Sequence, residues 1–204
     1  MSAVDTLMPD MLLKGFDDPV DAGGRAFRAL LDAMANPGTP FSITCPAEHP
    51  AQLSDAAAAV LLTVSDYATP VWLADDIAST DVQSYIRFHS AAPLTDDPAA
   101  AVFAVVAQGF EPLMATRFNT GTEDYPDRST TVIVECAGFT GGTPVQLAGP
   151  GIEGTTRFAP HGVPLGFWEE MQMNNAGFPL GIDVILTAPG HVCAIPRSTL
   201  IEVN

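Results

Sequence analysis

Apolar residues recur along this chain in two rhythms. The early segments repeat them every three or four positions, as a helix with one inward face does. Later segments run them continuously, as strands buried on both faces do. Phe27, Leu30, Leu31 and Met34 fall at i, i+3, i+4 and i+7 and predict a first helix. Asp17, Asp18, Pro19 and Asp21 lead into it, and Asn36-Pro37-Gly38 stops it. The stripe is the expected inner face. Arg25, Arg28 and Asp32 then lie on a solvated outer face or, less simply, at a subunit contact.

Ser54 is a good N-cap for a second helix carrying Ala57, Val60, Leu61 and Val64 at helical spacing. Residues 70–74 read as a short strand. Thr80 with Gln83 forms a capping box for a third helix, with Val82, Tyr85, Ile86 and His89 on one stripe. Residues 102–106 form a second continuous apolar run, a central strand. Residues 111–118 predict one or two helical turns, and the polar stretch 119–129 a mobile loop. The segments 130–136, 145–147 and 155–158, joined through Gly141-Gly142 and Gly149-Pro150-Gly151, predict a small antiparallel meander. Pro164 is placed to open a last helix through Phe167, Trp168 and Met171.

The densest apolar stretch comes near the end. Val184-Ile185-Leu186 and the run 192–195 flank Pro189-Gly190, the residue order of a type II turn, and predict a hairpin. Asp183 enters this pair and Arg197 leaves it. Helices alternating with continuous strands, then hairpins, predict an α/β layered domain with a mixed sheet and helices on its faces. Residues 1–20 are expected as an N-terminal arm and 21–204 as a single domain.

Composition narrows the function. The 204 residues are 47% apolar, and 24 carboxylates face 8 basic side chains, a net charge of −16. Nucleic acid and anionic membrane surfaces are bound through Lys and Arg, so neither is an expected partner. No apolar run approaches the ~20 residues that span a bilayer, and the first residues lack a signal-peptide pattern, so a cytoplasmic protein is expected. The 3 cysteines, Cys45, Cys136 and Cys193, show no metal or disulfide spacing. The 4 histidines, His49, His89, His161 and His191, are scattered. No metal site is expected. Lys14 is the sole lysine and sits in the arm, badly placed for a Schiff base or a phosphate loop. The glycines at 141–142 and 149–151 could cradle a phosphate through backbone N–H groups, but two hairpin turns account for them equally and are preferred.

Several segments taken together resemble one family. They are Phe27-Arg28…Met34…Pro37-Gly38, Leu61-Leu62-Thr63…Thr69-Pro70-Val71-Trp72-Leu73, Arg87-Phe88-His89, Gly149-Pro150-Gly151-Ile152, Phe178-Pro179-Leu180-Gly181-Ile182-Asp183 and Ile195-Pro196-Arg197. Their order and spacing resemble the PhnH subunits of the bacterial carbon–phosphorus lyase core complex, from about residue 20 onward. The resemblance implies a three-layer α/β/α fold with a mixed sheet, like the large domain of pyridoxal phosphate-dependent transferases without the cofactor. It implies homodimerisation and partner subunits PhnG, PhnI and PhnJ. The complex would transfer the ribose 5-triphosphate moiety of ATP to a phosphonate and release adenine. The resemblance credits nucleosidase-like chemistry to PhnI and an iron–sulfur cluster to PhnJ. It implies an accessory or jointly catalytic role here, with no cofactor in this subunit. A phosphonate- or nucleotide-binding module and a stand-alone transferase are the alternatives.

The resembling segments carry Arg87, His89, Asp183 and Arg197. They are candidates for a polar cluster at a subunit interface or in a vestigial pocket. The preferred reading is structural: His89 packed, Asp183 holding a strand end, Arg197 answering a carboxylate. Trp72, Phe110 and Trp168 are candidate contact anchors or core.

Overall fold

The computed structural model describes residues 13–109 and 115–203. Residues 1–12 of the expected arm at 1–20, Phe110 and the start of the expected turns at 111–118 lie outside them, and a helix already begins at Pro19, within the expected arm. The continuous apolar runs become the centre of a six-stranded sheet. Its strands are β1 (Phe41–Ser42), β2 (Val71–Leu73), β3 (Phe103–Val106), β4 (Thr131–Glu135), β7 (Asp183–Ala188) and β8 (His191–Ile195), in the order β1-β8-β7-β4-β3-β2. β2, β3, β4 and β7 are parallel, and β8 turns back antiparallel to β7. β1 then pairs antiparallel with β8.

Alternate residues of each strand feed separate cores. Leu73, Val105, Ile133, Ile185 and Ala194 face one side, against α1 (Pro19–Ala35), α2 (Asp55–Val64) and α3 (Thr80–Ser90). Trp72, Val106, Val134, Leu186 and Cys193 face the other, against α4 (Phe167–Ala176) and a small sheet. That sheet orders β6 (Thr156–Phe158), β5 (Val145–Ala148) and β9 (Leu200–Val203), all antiparallel. The α/β class and mixed sheet are as expected. The second outer layer combines one helix with a sheet.

The C-terminal hairpin forms as expected, with Pro189-Gly190 as its loop and Ala188 opposite His191. Gly190 takes φ +66, which a side chain there would resist. β4 is the correction. It leaves the expected meander and lies parallel between β3 and β7. Val132, Ile133 and Val134 are all fully buried, so both faces need cover, which a small edge sheet cannot supply.

α1 also departs from the expected face. Phe27 and Leu31 are 49% and 45% exposed, while Ala22, Ala26, Ala29, Leu30 and Ala33 are buried. The cause is the neighbour. α1 packs on α2, where Ala56, Ala57, Ala58 and Ala59 are all fully buried, and small residues on both helices let them approach closely. Arg25 stays on the solvated side, paired with Asp21.

Two start signals shift. Ser79, not Thr80, caps α3, its hydroxyl accepting the Val82 N–H, and α4 begins at Phe167 after Gly166 rather than at Pro164. Of the turns expected at 111–118, the described part is a 3-10 turn, Ala115–Arg117. The expected mobile loop at 119–129 is tied down: Gly181 N–H donates to the Thr120 carbonyl, and the Asn119 amide to the Arg128 carbonyl. Trp72 and Trp168 are buried core residues, not exposed anchors.

Candidate functional site

The hairpin that opens with Asp183 and closes before Arg197 brings these two side chains together. Asp183 Oδ1 accepts from the Arg197 backbone N–H at 2.9 Å and from its Nε at 3.1 Å. Oδ2 accepts from Nη2 at 2.5 Å. The remaining donors reach the loop at 119–129: Nη1 to the Pro126 carbonyl and Nη2 to the Ser129 hydroxyl. The side chains are only 17% and 12% exposed. Asp183 stands at the start of β7, the amino end of the parallel strands. Ligands of open α/β sheets gather at the carboxyl end. With its donors committed to the strand and the loop, Arg197 is a clamp.

The other two candidates lie elsewhere. Arg87 lines a cavity with Gln83, Thr95 and Asp96 beside β2, and β3 and β4 separate β2 from β7. His89 packs against the Tyr85 ring, centroids 4.6 Å apart, and its Nε2–H donates to the Leu13 carbonyl at 2.9 Å. The structure therefore joins Asp183 with Arg197 and leaves Arg87 and His89 outside that pair.

The carboxyl end holds a feature that sequence reasoning missed. Glu135 closes β4 and accepts the Ser54 backbone N–H at 2.6 Å. Ser54 in turn caps α2, its hydroxyl accepting the Ala57 N–H at 3.1 Å. Asp55 accepts from Ala56 N–H at 2.7 Å and Gly190 N–H at 3.3 Å. The start of α2 is where this edge would receive a phosphate, and the chain's own carboxylates fill it. Burial pushes the Glu135 carboxyl up from its ordinary range and Asp76 adds to the rise, while the Ser54 bonds and His49 oppose it. Each residue could be seen in the sequence, Glu135 after the apolar run Val132-Ile133-Val134 and Ser54 as a helix cap, but nothing there brought the two together.

Other chemistry is closed off. Burial pushes the thiols of Cys136 and Cys193 up to about 12, and burial with Asp55 does the same at Cys45, so none is a ready thiolate. Among the described residues, no group of three or more His, Cys, Asp or Glu side chains could hold a metal ion. The glycines at 141–142 serve the backbone: a Cβ on Gly142 would sit 1.8 Å from the Pro160 carbonyl oxygen. Among the described residues, no helix is long and apolar enough to cross a membrane.

Fold and site together define a layered α/β domain whose one largely buried ion pair, among the described residues, pins a loop to a strand. The comparisons with known proteins supply the family. Residues 14–202 match the family described as bacterial phosphonate metabolism protein (PhnH), and the chain belongs to that family. It is 40% identical over 187 residues to the alpha-D-ribose 1-methylphosphonate 5-triphosphate synthase subunit PhnH of Rhizobium meliloti (strain 1021), covering 92% of this chain and 94% of that one. It is also 32% identical over 179 residues to the putative C-P lyase subunit protein HtxG of Stutzerimonas stutzeri, covering 88% of this chain and 85% of that one.

Proposed function

We propose that this chain is an accessory subunit of the carbon–phosphorus lyase core complex. It supports transfer of the ribose 5-triphosphate moiety of ATP to a phosphonate with release of adenine. The observation that carries this is the near full-length similarity to a named synthase subunit. The geometry is in keeping with an accessory role: Arg197 is spent on Asp183, and carboxylates occupy the start of α2. On this reading the partners are PhnG, PhnI and PhnJ, the complex works in the cytoplasm, and the iron–sulfur cluster belongs to a partner. The mixed sheet, parallel at its centre with β8 reversed, is read as a counterpart of the large domain of pyridoxal phosphate-dependent transferases.

Alone, the chain is read as a homodimer joined through α1. Val20, Gly24, Phe27 and Leu31 follow at i, i+4, i+7 and i+11, the spacing of a helix–helix seam. Gly23 and Gly24 leave open space where side chains would stand.

The test is co-expression with PhnG, PhnI and PhnJ and native mass spectrometry of the purified material. The expected result is a stoichiometric complex, with a homodimer when the chain is expressed alone. A chain that ignores every partner sinks the reading.

A further inference from the structure

We propose that the surface beside α4 is the docking site for an apolar, basic segment of a partner subunit. This rests on the subunit reading above.

α4 buries Phe167, Trp168 and Met171 against the second core, yet Met173 on the same helix is 62% exposed. Beside it lies a cavity of about 260 Å³, open between α4 and the Ala115–Arg117 turn, with an apolar lining that includes Ala115, Met173 and Leu180. Phe178, 59% exposed, stands in the turn that follows α4. Past it is a second depression of about 320 Å³, lined by Pro126, Pro179 and Pro196. Two large side chains exposed between two apolar hollows form a continuous patch, the kind of surface that marks an interaction site.

Charge selects the occupant. Glu170 lines the first hollow and Asp127 the second. Glu123 and Asp124 are exposed on the loop running from Thr120 to Asp127. One oxygen of Glu170 accepts the Ala115 N–H at 3.1 Å, and its other oxygen has no partner among the described residues. Arg197 is neutralised by Asp183, while Arg117 over the Trp72 ring and Arg128 over the Tyr125 ring keep their charge, so Glu123, Asp124, Asp127 and Glu170 outnumber them. The rim is therefore acidic. A second copy, itself at −16, suits it poorly. The fitting occupant carries one or two large apolar side chains for the hollows and Lys or Arg for the rim.

The test uses the full chain co-expressed with the partner subunits of the proposed complex. Met173→Glu and, separately, the double variant Met173→Ser with Phe178→Ser are compared with wild type. Both positions are exposed, so melting temperature and circular dichroism are expected to match wild type. Affinity for the partners is expected to fall roughly 30-fold or more, the loss typical of an interface anchor. Wild-type affinity is expected to weaken as salt rises. Variants that enter the complex as wild type does overturn the proposal. So does a homodimer that dissociates on Met173→Glu, which would assign the surface to a second copy. If the wild-type chain itself fails to enter, the subunit reading fails, and this occupant with it.

Discussion

Asp183 and Glu135 stand at opposite ends of the neighbouring strands β7 and β4. Both carboxylates are partly buried, and each anchors a distant segment to the sheet, Asp183 through Arg197 and Glu135 directly. They are held differently. Asp183 meets a guanidinium that brings opposite charge and several donors. Glu135 meets a backbone N–H at the start of a helix, which offers a partial charge at most. One carboxylate is neutralised where it sits. The other bears its desolvation with partial relief, and burial dominates its protonation.

The sharpest way to break the comparison is Asp183→Ala. It strands the Arg197 guanidinium, largely buried, without its counter-charge, and about 3 kcal/mol of stability should be lost. Urea unfolding measures it. Unchanged stability together with lost activity of the complex would make the pair a reactive site instead of a clamp. Glu135→Gln is the counterpart and should act mainly through pH. Gln keeps an acceptor for Ser54 but does not titrate. A raised carboxyl pKa means the folded state holds more protons than the unfolded one above the ordinary value of 4.5. Wild-type stability should therefore fall relative to the variant as pH rises from there to the raised value, and stay level beyond it. Paired unfolding curves across that range check this, and a constant difference between the proteins would contradict it. Ser129→Ala should be mildest, about 1 kcal/mol, since it removes one of Arg197's several acceptors. Thermal melts give the shift, and one as large as that of Asp183→Ala would mean the loop, not the ion pair, dominates the clamp.

The same contrast shows what could be read from the chain. Asp183 and Arg197 flank a hairpin with a two-residue loop, so local register alone puts them side by side. Ser54 and Glu135 are 81 residues apart, and their contact depends on strand order and on where α2 lies. Sequence pattern does not encode that placement. α1 teaches a related lesson. Periodicity tells which residues share a face, but the alanines of α2 decide which face turns inward. Arg87 and His89 were named with Asp183 and Arg197 because their segments resemble the same family, and a shared resemblance says nothing of distance in space.

The six-stranded sheet joins an early segment to a late one. β7 lies between β4 and β8, and β8 carries β1 as its edge partner. On the ribosome, β1 emerges early and waits for β8, which is made long after it. Until the hairpin appears, β4 has an open edge, and both cores lack a wall. A chain stalled or clipped before Asp183 should thus be a substrate for chaperones and proteases, not a shorter working subunit. The closing hairpin serves as a completeness check, reserving a finished surface for chains translated through β8.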